Sequence, residues 1–229
     1  MTELPEVLFS NPVWHALIGP HRHLRLALGA ACRYPADVAP FAAIAAPAEP
    51  AFDALRDLLA PDESVWIADY GRSAAGIKVL DALACVQMVL PADAEPCAQS
   101  REVVPLTAAN AQEMVALTDV AFPGFFRAKT YRMGYYCGIR IDGRLVAMAG
   151  ERLCLDGYPE LSGICTHPAH RGQGLASAAI AHLVARHRRA GLRSWLHVGA
   201  PNTRAIDLYS SLGFQRVRTV MLHRIVRSA

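Results

Sequence analysis

A chain of 229 residues that is 53% hydrophobic and only 19% charged can close an apolar core, which excludes an intrinsically disordered protein. A formal net charge of +3 is too small a footprint for a dedicated nucleic-acid binder, and no nucleic-acid partner is expected. Every apolar run is broken by charge, Gly or Pro before the ~20 residues a spanning helix needs, so no membrane partner is expected either.

The length fits one large domain or two small ones. The acidic start, Met1 to Glu6, lacks the positive charge of a secretory signal, and the expected location is cytoplasmic. Cys32, Cys85, Cys97, Cys137, Cys154 and Cys165 are scattered without paired zinc-type spacing, so they read as reduced thiols and no metal is expected. Of the 23 Lys and Arg residues only Lys78 and Lys129 are Lys. Arg suits planar phosphate contacts, although codon bias gives the same excess.

His15, His21 and His23 come first in the chain and have no carboxylate or cysteine at ligand spacing, which makes them packing or surface histidines. Phe52 to Leu59 carries apolar residues at helical spacing, and Ser64 to Ala68 and Cys85 to Leu90 read as short buried strands. Pro91 to Pro96 is polar and bounded by prolines, as linkers are. It sets an expected boundary near residue 100, between regions 1–100 and 101–229.

The second region opens with a strand, Glu102 to Leu106, and a helix from about Ala108 with Met114, Leu117 and Val120 on one side. Phe122 to Phe126 interrupts it. Asp142-Gly143 and Asp156-Gly157 then supply the positive φ of tight hairpin turns, which predicts three antiparallel strands over 135–141, 144–151 and 158–166. The next helix starts near Gly174 with a stripe of Leu175, Ala179, Ile180, Leu183 and Val184, and stops at Gly191 after an Arg-rich turn. Ser194 to Val198 reads as a strand, Pro201 to Leu212 as a helix capped by Asn202 or Thr203, and Phe214 to Ile225 as a last strand.

Between the third hairpin strand and the long helix lies Arg171-Gly172-Gln173-Gly174-Leu175-Ala176. Glycines there let backbone N–H groups turn toward one point, and the helix N-terminus and Arg171 favour an anion. A plain turn would use the same glycines. A dinucleotide-binding reading fails, because the loop follows an antiparallel meander and Gly191-Leu192-Arg193, ~20 residues on, has no acid. The phosphate loop of nucleoside triphosphatases fails too, for want of Gly-Lys-Ser/Thr.

Glu160 to Pro168 followed by Arg171 to Ala176 resembles the acyl-CoA signature of the GNAT superfamily, in which Arg or Gln, two residues, Gly, one residue and Gly or Ala are met here by Arg171, Gly174 and Ala176. Asn202, Ala205, Leu208, Tyr209, Gly213 and Phe214 resemble that family's second run, and the likeness spans about residues 101 to 226. It implies an α/β (α+β) fold: a GNAT-like mixed, largely antiparallel central sheet with flanking helices, preceded by a smaller N-terminal α/β half. Leu161 to Pro168 is similar to the glycine N-acyltransferase-like branch, in which 1–100 would be a degenerate half-copy that helps wall the acceptor pocket. Phe122 to Arg127 and Met133 to Tyr136 are lining or core.

The resemblance implies acetyl-CoA or another acyl-CoA as co-substrate. Backbone groups of Ile164, Cys165 and Thr166 would pair with the pantetheine arm, the main chain of Arg171, Gly172, Gln173, Gly174, Leu175, Ala176 and Ser177 would hold the diphosphate, and Asn202 would hydrogen-bond nearby. Tyr209 is the implied proton donor, since a phenol of pKa ~10 stays protonated and can donate to a departing thiolate of pKa ~8.5. Core packing is its other reading. Glu160 is the base candidate for an acceptor amine of pKa ~10.4, directly or through water, with Glu151 second; an exposed strand-end carboxylate is the other reading of Glu160. The expected function is transfer of an acetyl or short acyl group to the primary amine of a small molecule or amino acid, by a monomer or homodimer. Two other outcomes stay open: an acyl-CoA sensor without turnover, and a protein N-terminal or lysine acetyltransferase. Arg186, Arg188, Arg189 and Arg193 form a solvated, dipole-compensating face rather than a nucleic-acid site.

Overall fold

The computed structural model describes residues 6–69, 73–94 and 101–228. The expected boundary near residue 100, the end of the expected linker and Cys97 lie outside the described residues. In chain order the elements are α1 (Glu6–Ser10), α2 (Pro12–Ile18), β1 (Leu26–Leu28), β2 (Ala31–Arg33), β3 (Ala42–Ile44), α3 (Glu49–Leu58), β4 (Ser64–Ala68) and β5 (Ile77–Val89). Then come β6 (Val104–Leu106), α4 (Ala111–Ala121), β7 (Tyr136–Ile141), β8 (Arg144–Leu155), β9 (Tyr158–Thr166), α5 (Leu175–Arg189), β10 (Trp195–Gly199), α6 (Thr203–Ser211) and β11 (Gln215–Arg227).

The chain divides into two compact units, one of residues 1–36, 40–85 and 219–229 and one of 37–39 and 86–218. In the first, β1, β2 and β3 form an antiparallel sheet, and β4 pairs antiparallel with β11 through Ser64↔Val226 to Ala68↔Leu222. Phe52 and Leu55 of α3 meet Val65, Ile67, Ile77 and Ile225 in its core. Arg33 of β2 makes a two-pronged ion pair with Glu63 and hydrogen-bonds the Leu58 carbonyl, which ties the sheet to the end of α3.

In the second unit the strand order β5-β10-β9-β8-β7-β6 is that of a mixed, largely antiparallel sheet. β6, β7, β8 and β9 pair antiparallel in turn, and β10 joins β9 in parallel. The β7–β8 turn has Asp142 at φ 50° and Gly143 at φ 77°, the two positive values that Asp-Gly supplies at such a turn. One sheet face is covered by α5 and α6, whose Ala179, Leu183, Val184, Ile206 and Tyr209 pack on Leu161, Leu196 and Val198. On another part of the sheet Met114 and Leu117 of α4 pack with Phe126, Tyr136, Met148 and Cys165. Val120, expected on the buried side of α4, is exposed; Thr118 is buried instead, its hydroxyl donating to the Met114 and Val115 carbonyls. Phe126, Met133 and Tyr136 are core rather than exposed pocket lining.

Candidate functional site

The geometry that distinguishes this sheet is where its parallel pair stops. β9 and β10 are in register at Trp195↔Glu160 and Leu196↔Leu161, and no further pair follows although β9 runs to Thr166 and β10 to Gly199. On its other side β9 stays bound to β8 as far as Ala147↔Thr166. Gly163, at φ 61°, breaks the regular alternation of β9 beside this gap. The edge of β9 that includes Ile164, Cys165 and Thr166 therefore has no strand partner on the β10 side. Backbone amides and carbonyls left bare in this way suit an extended ligand with amides of its own. The Cys165 side chain takes no part, being buried with its thiol pushed up to about 12.

Beyond β9 the chain passes through a short 3₁₀ turn, Pro168–His170, into the exposed stretch Arg171 to Gly174. Gly172 (φ 80°) and Gly174 (φ 72°, ψ 9°) are left-handed, and a Cβ on Gly172 would meet nothing within 4 Å, so the loop is open rather than packed. Gly174 caps α5 without a side-chain hydrogen bond, and the first helical acceptor used is its carbonyl, bonded by Ala178. No acceptor among the described residues meets the N–H groups of Gly172, Leu175 and Ala176. Together with the helix dipole they make a cradle that fits a diphosphate. The guanidinium of Arg101 donates to the Gln173 carbonyl at 3.5 Å and adds positive charge at the loop, beside Arg171.

Asn202 caps α6, its Oδ1 accepting from Ala205 N at 3.1 Å, which leaves the amide NH₂ for any ligand. Tyr209 is 7% exposed and packs in the cluster that holds Leu196, Val198 and Ile164, the residues flanking the gap. Burial pushes its phenol up to about 12.

Glu160 is not an exposed strand-end carboxylate. It is fully buried, accepts from Arg152 Nε at 2.9 Å and Nη2 at 2.6 Å, from Leu153 N at 3.1 Å, and lies 2.8 Å from His197 Nδ1. Gln87 Nε2 stands 3.1 Å from the other nitrogen of His197. Burial works to raise the Glu160 carboxyl, but the charge of Arg152 and the hydrogen bonds from His197 and Arg152 outweigh it and bring it down to about 2. Leu161 and Leu196 face α5, so by strand alternation Glu160 and His197 face the other way, at the vertex where β9 and β10 part. Glu151 does not share that opening: its carboxylate accepts from Tyr135 N and lies 3.0 Å from His187 Nε2 on α5. Arg152, His197, Gln87 and Arg101 are absent from the sequence-based site. The detectable signal for His197 is one polar residue inside the otherwise apolar β10, whereas β8 and β5 carry other polar residues beside Arg152 and Gln87.

Removing one partner of a buried ion pair leaves the other uncompensated, so Glu160→Gln is expected to destabilise the protein by about 3 kcal/mol in urea unfolding. With a folded value near 2 against 4.5 when unfolded, the Glu160 contribution is complete above pH 4.5 and drains away as pH falls toward 2. Between those limits Glu160→Gln should show a flatter loss of stability than the parent protein.

The sequence profile described as the acetyltransferase (GNAT) family matches residues 106–214. A putative GNAT-family acetyltransferase from Novosphingobium aromaticivorans is 35% identical in sequence, with 96% of this chain and 99% of that one covered at a TM-score of 0.88. A GCN5-related N-acetyltransferase from Kribbella flavida, 19% identical with 100% and 98% covered, has the same fold at a TM-score of 0.67. The ribosomal protein bS18-alanine N-acetyltransferase of Escherichia coli is 38% identical over 74 residues, which are 32% of this chain and 49% of that enzyme. The match thus spans about half the length of that curated relative. With an open amide loop, a parted parallel strand pair and a relative alike over nearly its whole length, the chain belongs to the GNAT acetyltransferase family.

Proposed function

We propose that the protein moves an acetyl or other short acyl group from acyl-CoA to a primary amine of a small molecule or amino acid, by direct attack in a ternary complex. The observation that carries this reading is the parting of β9 and β10 beyond Leu161 and Leu196, close in the chain to a loop with unanswered amides. Acyl-CoA supplies the thioester carbonyl that the amine attacks and the thiolate that leaves. The loop from Arg171 to Ser177, with Arg101 nearby, neutralises and orients the diphosphate, while the bare edge at Ile164 to Thr166 aligns the pantetheine arm in the gap. Asn202 adds a donor from its free amide.

The two ends of the proton path fall on opposite sheet faces. Tyr209, on the α5 and α6 side, donates to the departing sulfur. A carboxyl held at about 2 has little affinity for a proton, so Glu160 acts by fixing the His197 Nδ1–H, and His197 Nε2 takes the ammonium proton, directly or through water, as the Gln87 amide that it faces at 3.1 Å yields its place. His197→Gln is expected to lower kcat/KM for the amine about 10²-fold, with acyl-CoA affinity unchanged. Steady-state kinetics between pH 6 and 9 measure both.

The match to the bS18-alanine enzyme favours a second acceptor class, the α-amine of a polypeptide. Such an amine, with pKa ~7.7–8.0, asks less of the base than an alkylamine of pKa ~10.4. Amine-dependent release of free thiol from acetyl-CoA, measured against small amines, free amino acids and an alanine-initiated peptide, tests the function and separates the acceptors. Acetyl-CoA binding without thiol release in any arm would make the protein a sensor. The likeness of Leu161 to Pro168 to the glycine N-acyltransferase-like branch supports the amino-acid arm. The α3, β4 and β5 elements would then be the worn half-copy.

A further inference from the structure

The amides of the loop are not the whole of the positive potential at this end of the sheet. Arg101 precedes β6, which lies on the far side of β9 from the β9–β10 gap. It is nevertheless brought to the loop, 72 positions on in the chain. Val103 packs with Leu175 and Ala178 in the first turn of α5, and Arg101 Nη2 donates to the Gln173 carbonyl. Arg101 and Arg171 are both exposed, and neither forms an ion pair with a described carboxylate. A guanidinium carries five N–H donors in a planar fork, so Arg101, with one nitrogen on Gln173, keeps most of them for a ligand.

The position of Arg101 sets it apart from the diphosphate cradle. A trans peptide points its C=O and its N–H in opposite directions, so the Gln173 carbonyl that faces Arg101 turns the Gly174 N–H the other way. Arg101 therefore stands behind the loop rather than over its amides. The diphosphate already has Arg171, the N–H groups of Gly172, Leu175 and Ala176, and the α5 dipole. A ligand with its pantetheine arm in the gap and its diphosphate on the loop has its ribose end still to place, and the 3′-phosphate of CoA follows only a few bonds on.

We propose that Arg101 is a specificity-determining residue, whose guanidinium binds the 3′-phosphate of acyl-CoA and so separates CoA from the same ligand without that group. The inference rests on the acyl-CoA reading of the loop. A phosphomonoester, with its second pKa ~6, is close to a dianion at neutral pH, and it offers the paired oxygens that a guanidinium fork matches. Because Arg101 is exposed, the preference weakens as salt is added.

Calorimetric titration of the full chain with CoA and with 3′-dephospho-CoA at low ionic strength tests it. The unaltered chain should bind CoA about tenfold more tightly, a comparison that needs no variant to fold. Arg101→Gln should weaken CoA by about that factor and dephospho-CoA by less than about twofold, and Arg101→Lys, which keeps the charge but not the fork, should recover part of the difference. Gly174→Val, which disturbs the cradle common to both ligands, should weaken the two by the same factor. Equal affinity of the unaltered chain for the two ligands, or an equal loss of both in Arg101→Gln, would overturn the proposal and leave the reading of the loop in place. Binding of neither ligand would overturn that reading and the proposal with it.

Discussion

Tyr209→Phe is expected to lower kcat about 10²-fold while acyl-CoA KM stays within about twofold. The hydroxyl is the only atom group removed, and the ring keeps its place against Phe214 at 6.2 Å and in the cluster with Leu196 and Val198, so folding and cofactor affinity have little to lose. A phenol at about 12 is never ionised at neutral pH and stands ready to donate. Full transfer of its proton to a thiolate of ordinary basicity, ~8.5, is uphill, so the donated hydrogen bond carries most of the effect as negative charge builds on sulfur. That charge exists only as the bond breaks, and its loss should therefore fall on kcat. A reduction of less than threefold, measured by thiol release under saturating substrates, would return Tyr209 to a packing role.

Gly174→Val is expected to raise the acyl-CoA dissociation constant about 30-fold or more. At φ 72° and ψ 9° the residue is left-handed, a conformation that costs an ordinary L-residue roughly 1–2 kcal/mol and a β-branched one more. The chain must keep the strain or rotate the peptide, and rotation turns amides of the α5 first turn away from the diphosphate. At 1.4 kcal/mol per tenfold, about 2 kcal/mol gives the stated loss. Gly172→Asn is the control, because Asn tolerates φ 80° and its Cβ has open space, so the fold should survive. Equal affinity for acyl-CoA in Gly174→Val and the parent would remove the loop from the binding site.

What the sequence makes legible is whatever chemistry sits close together along the chain. Asp142-Gly143 specifies its own turn, the stripe from Leu175 to Val184 specifies its own buried face, and Gly172 and Gly174 can be recognised because left-handed backbone selects glycine locally. Glu160 reads as a candidate base, but its environment is set by residues 8 and 37 positions away, Arg152 and His197, on the two neighbouring strands. Burial, the Arg152 guanidinium and the His197 hydrogen bond hold it as a carboxylate at about 2, an environment that single-strand alternation cannot reveal. The first unit is obscure for another reason. β1, β2 and β3 have three residues each, too few to display a period, and β5 is polar or half-exposed over Lys78 to Ala84, so only its buried end, from Cys85, reads as a strand.

The central claim is that the turn between β9 and α5 holds the diphosphate of acyl-CoA. Thermal unfolding with and without acetyl-CoA at about 100 times its dissociation constant tests it most directly, since ligand at that excess adds ~2.7 kcal/mol to the folded state. For a chain of this size the melting temperature should rise by about 5–10 °C, and the rise should shrink in Gly174→Val. A melting temperature that stays the same at saturating acetyl-CoA would contradict the account.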